Sequence, residues 1–181
     1  MRLFPPAASA ALVLLVSACD TASVVQPSDP LGAKEDLNRN ISLMDACDPA
    51  TFNAAIGPGT CVRNGGMTFQ QFLAELQANG SVGAWHMSPT MLTVSEGQTL
   101  FVTNRGGETH TFTEVEEFGG GIVPSLNQLS GNTEVAPECN SLDADDFIPA
   151  GGTYSEEEDE AGVEKYQCCI HPWMRMTVRI K

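Results

Sequence analysis

The stretch Tyr166-Gln167-Cys168-Cys169-Ile170-His171-Pro172-Trp173-Met174-Arg175-Met176 decides how the rest of this chain is read. It sets a thiol at 168, an imidazole at 171 and a thioether at 174, three residues apart on one tight, proline-containing loop. Residues 176–180 follow as a short last strand rich in apolar and β-branched side chains. A Cys-x-x-His pair alone says little, because half of a zinc site or one end of a disulfide has the same spacing. Zinc would call for a second Cys/His pair, and the lone histidine at 110 does not supply one.

Two imidazoles, one thiolate and a weak axial thioether form the donor set of a blue-copper electron-transfer site. The loop supplies three of the four, so the second imidazole comes from elsewhere, and only His86 and His110 remain. His110 ends the run Asn104-Arg105-Gly106-Gly107-Glu108-Thr109-His110, at the start of a strand after a glycine-rich turn. Residues 91–94, 99–103, 109–115 and 176–180 read as short strands. Turn signals such as Ser95-Glu96-Gly97 and Ala150-Gly151-Gly152 punctuate them. That pattern predicts an all-β Greek-key sandwich. His86-Met87 with Met91 reads as core or edge of a first strand, or as a second soft-metal site.

At these residues the region from about 82 to 181 resembles the cupredoxins of the plastocyanin, amicyanin and pseudoazurin group. Cys168-x-x-His171-x-x-Met174, with Pro172 and Trp173 between His and Met, is similar to the short ligand loop of amicyanins. The run from Asn104-Arg105 to His110 is similar to their approach to the first ligand. The resemblance implies a cupredoxin-like β-sandwich binding one type 1 copper. His110, Cys168 and His171 would be its equatorial ligands and Met174 its axial one. Asn104 and Thr111 are expected to support the ligands from behind. The family commonly carries Asn after the first His, where it ties the two ligand loops, and here Thr111 stands in its place. His171, flanked by Pro172 and Trp173, would form an electron port at the apolar end of the sandwich. A site with no open position implies an electron carrier and not an enzyme. A copper-binding chaperone or sequestration lipoprotein would use the same loop, and a metal-free interaction module would share the fold.

The chain has six cysteines. Cys169 competes with Cys168 as the thiolate, but one residue between Cys169 and His171 is unusual for the family. With Cys168 as the ligand, Cys47, Cys61, Cys139 and Cys169 remain to pair. Cys47 with Cys61 and Cys139 with Cys169 is one arrangement, and sequence does not fix connectivity. A Cys139–Cys168 pair would destroy the site.

Working outward to the N-terminus, Thr68-Phe69-Gln70-Gln71 has the form of a capping box. Phe69, Phe72, Leu73 and Leu76 follow at helical spacing, and Asn79-Gly80 ends the run. One short amphipathic helix is expected, packed on the sandwich and carrying no chemistry. Arg2, an apolar run from Ala7 to Val16, and Val16-Ser17-Ala18-Cys19 read as a secretory signal whose end resembles a bacterial lipobox. The division expected is a signal peptide at 1–18, a lipidated Cys19 with a flexible tether over 19–45, and a disulfide loop and helix at 46–81. A cupredoxin domain over 82–181 completes it. Such a protein lies outside the cytoplasm, in the periplasm or at the cell surface, anchored through its lipid.

Composition sharpens the partner. With 9 Lys+Arg against 23 Asp+Glu the chain carries −14, which excludes nucleic acid and anionic lipid surfaces by repulsion. Between Gly106 and Glu164 stand 15 acidic residues and no basic one, a field suited to steering a basic redox partner such as a c-type cytochrome to a monomer. Two departures from the family stand out. About 20 residues, roughly 118–140, look inserted. The run Ser155-Glu156-Glu157-Glu158-Asp159-Glu160 replaces the alternating apolar pattern of a strand. Glu156 and Glu158 cannot both face a core unpaired, so this strand is expected at an edge or bulged into solvent.

Overall fold

Side chains that alternate between inside and outside lay down two four-stranded sheets in this computed structural model, which describes residues 39–181. Strands β1 (Asn40–Met44), β2 (His86–Ser88), β4 (Gln98–Asn104) and β8 (Thr153–Glu158) form the first, in the order β2-β1-β4-β8. Strands β3 (Met91–Val94), β6 (Thr113–Val115), β9 (Gly162–Gln167) and β10 (Arg175–Ile180) form the second, in the order β3-β10-β9-β6. A short pair, β5 (His110–Thr111) with β7 (Phe147–Ile148), completes the set. Ile41, Leu43, Leu100 and Val102 from one sheet share a core with Val94, Val178 and Ile180 from the other. The chain crosses repeatedly between sheets, as a Greek-key sandwich does.

The β9–β10 register positions the ligand loop. These strands pair antiparallel from Arg175↔Gln167 to Ile180↔Gly162, so the two ends of residues 168–174 leave the sheet side by side. The loop is therefore short because its anchors are adjacent.

Residues 40–44, assigned above to the end of the tether, are instead strand β1, inside the first sheet. β1 runs parallel to β4 (Ile41↔Val102) and antiparallel to β2 (Leu43↔Met87), with Ile41 and Leu43 buried. The sandwich therefore starts at residue 40 and not at 82. Five residues carrying Asn40 and Ser42 on the outer face give too short an alternation to stand out from polar linker. The signal segment, Cys19 and the tether up to residue 38 lie outside the described residues.

The segment between β1 and β2 holds two helices. Helix α1 (Pro49–Ala55) starts at Asp48, whose side chain accepts the Thr51 N–H, with Pro49 in the first turn. Helix α2 (Phe69–Asn79) opens with the reciprocal capping box of Thr68 and Gln71 and stops at Gly80, whose φ is 69°. Phe52 of α1 lies between Phe72 of α2 and Trp85, with ring centroids 5.5 and 5.7 Å away. A disulfide joins Cys47 to Cys61 and a second joins Cys139 to Cys169. By chain entropy, closing loops of 14 and 30 residues stabilises the fold by roughly 3–4 kcal/mol each.

The inserted region folds as helix α3 (Pro124–Ser130) and a 3-10 turn at Pro137–Asn140. It rests on the ligand loop through Ile122 N–H to the Cys169 carbonyl at 2.7 Å. Gly121 passes so close to that carbonyl that a Cβ would collide with it. The acidic run begins in β8, at a sheet edge, and its last two residues are exposed beyond the strand. Glu158 points inward, where the Tyr166 hydroxyl lies 3.1 Å from it. His86 and Met91 face outward and Met87 faces the core, so these three do not share a site. Among the described residues no helix is long and apolar enough to cross a membrane.

Candidate metal centre

Cys168 follows the last residue of β9, Met174 precedes β10, and His110 opens β5. Two backbone bonds close the loop, Cys168 N–H to the Met174 carbonyl at 3.0 Å and Met174 N–H to the His171 carbonyl at 2.9 Å. The ligand atoms of His110, Cys168 and His171 lie within 4.8 Å of one another, and all three residues are buried. Cys168 Sγ stands 3.7 Å from His110 Nδ1 and 3.8 Å from His171 Nδ1. Metal bonds of roughly 2.3 Å to sulfur and 2.0 Å to nitrogen, as at zinc, would separate such donors by about 3.7 Å at trigonal angles. Met174, fully buried, completes the loop. One thiol and two imidazoles converging on one buried point, on a loop that also carries a thioether, are a donor chemistry that fits copper better than zinc.

Cys168 is the free cysteine among the described residues, and Cys169 is committed to its disulfide. Burial opposes ionisation of Cys168, but hydrogen bonds and charge from His110 and His171 hold its thiol well below the usual range. It is a thiolate in waiting. Thr111 ties the two ligand segments together. Its backbone N–H points at Cys168 Sγ at 3.4 Å, and its hydroxyl accepts the Cys169 N–H at 2.8 Å. Asn104, fully buried, donates to the carbonyls of Glu108 (2.7 Å) and Ile148 (2.8 Å) and accepts the Gly106 N–H. It fixes the turn that delivers His110.

Sequence reasoning missed two carboxylates. Asp45, just after β1, lies 3.0 Å from His110 Nε2. It also accepts the backbone N–H groups of Cys47, Gly107 and Glu108. Burial alone would raise its carboxyl, yet the His110 bond and the backbone donors bring it down to about 2. Burial likewise opposes charge on His110, while Asp45 and Cys168 raise its pKa to about 9. Gly106 and Gly107 make this approach sterically feasible, since a Cβ on Gly106 would strike the Asp45 carboxylate and one on Gly107 would meet Cys47 Sγ at 2.6 Å. Glu108 is the second carboxylate. Its Oε2 accepts the Trp85 indole N–H at 2.7 Å and lies 3.5 Å from His171 Nε2. Burial raises its pKa, and His171 and Trp85 offset part of that rise. The acidic pair was hidden because Asp45 fell in the assumed tether and Glu108 read as one charge among many.

His171, expected at the apolar end of the sandwich, is 3% exposed and lies beneath other side chains. Trp85 and Trp173 lie 6.4 and 5.6 Å from its ring, and Phe72 of α2 packs on Trp173 at 6.0 Å. Helix α2, packed on the sandwich through Phe72, thus lies over the site.

The two sheets, with a thiolate–imidazole–thioether loop feeding the last strand, make the fold cupredoxin-like. No protein-family model and no curated protein matches the sequence. Similar solved structures include a purple cupredoxin from Nitrosopumilus maritimus at 18% identity. That match covers 78% of this chain and 98% of that one, with a TM-score of 0.44. The Cu(I) form of an amicyanin mutant is 24% identical over 51% of this chain and 70% of that one, with a TM-score of 0.35. A second, reduced amicyanin mutant is 25% identical over the same shares, also at 0.35.

Proposed function

We propose that this protein carries single electrons outside the cytoplasm through a type 1 copper held by His110, Cys168, His171 and Met174. The observation that carries this reading is the convergence of a buried thiol and two imidazole Nδ1 atoms within 4.8 Å. Bound there, copper supplies one-electron chemistry by cycling between Cu(II) and Cu(I). The residues do the rest. The soft sulfurs of Cys168 and Met174 favour the reduced ion, and the imidazoles suit both states. Thr111 and the two loop-closing bonds hold the donors still, so little rearrangement accompanies electron transfer. Trp173, partly exposed and 5.6 Å from the His171 ring, bridges that imidazole to the surface. The burial of the donors supports a carrier and not an enzyme.

The acidic field from Gly106 to Glu164 supports a basic redox protein, of which a c-type cytochrome is one kind, as partner to the monomer. Two disulfides suit an oxidising compartment. Cleavage after Ala18 and acylation of Cys19 would hold the domain at a membrane. Titration of the chain with Cu(II), followed by visible absorption and EPR, tests the reading. The expected result is an intense, reducible thiolate-to-copper band with narrow hyperfine splitting, lost in Cys168→Ser. A protein that takes Cu(I) and never develops the band overturns it.

A further inference from the structure

The two imidazoles that face Cys168 through Nδ1 both turn Nε2 toward a buried carboxylate. His110 Nε2 lies 3.0 Å from Asp45 Oδ2, with side chains 0% and 1% exposed. His171 Nε2 lies 3.5 Å from Glu108 Oε2, with side chains 4% and 7% exposed. Neither carboxylate belongs to the ligand loop. Asp45 directly follows the strand that opens the sandwich and is held by three backbone donors. Glu108 is pinned from the other side by the Trp85 indole N–H. With a metal on Nδ1, the Asp45 carboxylate, held as an acceptor by its three backbone donors, keeps the remaining His110 proton on Nε2, and the Glu108 carboxylate 3.5 Å from His171 Nε2 favours the same orientation there.

We propose that Asp45 and Glu108 are positioning residues that orient the two ligand imidazoles and hold the reduction potential of the centre low. This rests on the copper reading above. A carboxylate behind an imidazole makes its Nδ1 a stronger donor, which favours the more highly charged ion. When a reductant passes one electron to the centre, Cu(II) becomes Cu(I) and the buried site loses one positive charge beside the carboxyl groups of Asp45 and Glu108. In a poorly screened interior that change is unfavourable, so the oxidised state is preferred. Nature has here placed one such carboxylate behind each imidazole, and both depend on the segment before residue 110.

Voltammetry of the copper-loaded chain tests this, comparing wild type with Asp45→Asn and Glu108→Gln, and with Glu157→Gln on the exposed face of β8 as control. Asn and Gln keep the shape and remove the charge, so a purely structural role would leave the potential in place. Each site variant is expected to lower the preference for Cu(II) over Cu(I) about tenfold to a hundredfold, an upward shift of ~59 mV per tenfold for a one-electron couple. The blue band should persist and the control should not move. Should a variant fail to fold, nitrogen–proton correlation spectra of the wild-type Cu(I) protein decide the matter. Slowly exchanging Nε2 protons on both His110 and His171 support the proposal, and exchange at the rate of free imidazole overturns it. An unchanged potential in both variants, with the blue band intact, overturns this proposal alone. Absence of the band in wild type overturns the copper reading and this proposal with it.

Discussion

Thr111 grips Cys168 through its main chain and Cys169 through its side chain: its N–H points at Cys168 Sγ at 3.4 Å and its hydroxyl takes the Cys169 N–H at 2.8 Å. The contact spans 57 residues and joins the strand carrying His110 to the loop carrying the other donors. Thr111→Val keeps the shape and removes the hydroxyl, leaving the buried Cys169 N–H unpaired. The expected cost is about 1–3 kcal/mol, read by denaturant unfolding, and Thr111→Ser recovers most of it. A Val variant as stable as wild type would show that the hydroxyl is not what joins the two segments.

Buried Tyr166 and Glu158, with the half-buried Glu164, form a second polar group near the sheet edge. The Tyr166 hydroxyl lies 2.7 Å from Glu164 and 3.1 Å from Glu158. Burial first, then the nearby Glu164, push Glu158 up to about 8. Because the folded value lies above the unfolded one, the protonated form is the one that folding favours. Its stabilisation is complete below the ordinary carboxylate range and disappears as pH rises through about 8. The thermal midpoint should therefore fall between pH 5 and 8, and Glu158→Gln should flatten that slope.

The Cys47–Cys61 disulfide braces the Asp45 corner, since the Cys47 N–H donates to Asp45 and Gly107 packs on Cys47. Replacing both cysteines with serine should cost about 3 kcal/mol, which for a chain of this size is roughly 6–12 °C in thermal midpoint. Calorimetry checks the figure.

Phe72 joins the helical roof to the metal loop by packing on Trp85 at 4.8 Å and Trp173 at 6.0 Å. Phe72→Ala should cost about 3–5 kcal/mol through the cavity it leaves. It should also speed reduction of the copper-loaded protein by a small hydrophilic reductant, measured by stopped flow. An unchanged rate would mean that the roof does not limit access to His171.

How much of this was legible followed sequence distance. Cys168, His171 and Met174 stand within one loop, so their spacing can be read directly, as can the capping box at Thr68 and Gln71 and the stop at Gly80. Short alternating runs also gave away β3, β4 and β10. Strand β1 escaped because a five-residue alternation with Asn40 and Ser42 outward looks like linker until Val102 and Met87 are beside it. Helix α1 escaped because seven residues hold too little periodicity, and its signal is confined to Asp48 and Pro49.

The chain's own order of residues thus determined the donors, the strand character around them and the acidic surface, because each depends on neighbours a few positions apart or on composition. Only the tertiary structure decided that Asp45 stands behind His110 across 65 residues, that Trp85 and Glu108 stand behind His171, and that α2 roofs the loop. Those pairings come from parallel insertion of β1 beside β4 and from burial of one aromatic cluster. Such long-range packing leaves no periodic mark on the sequence that makes it.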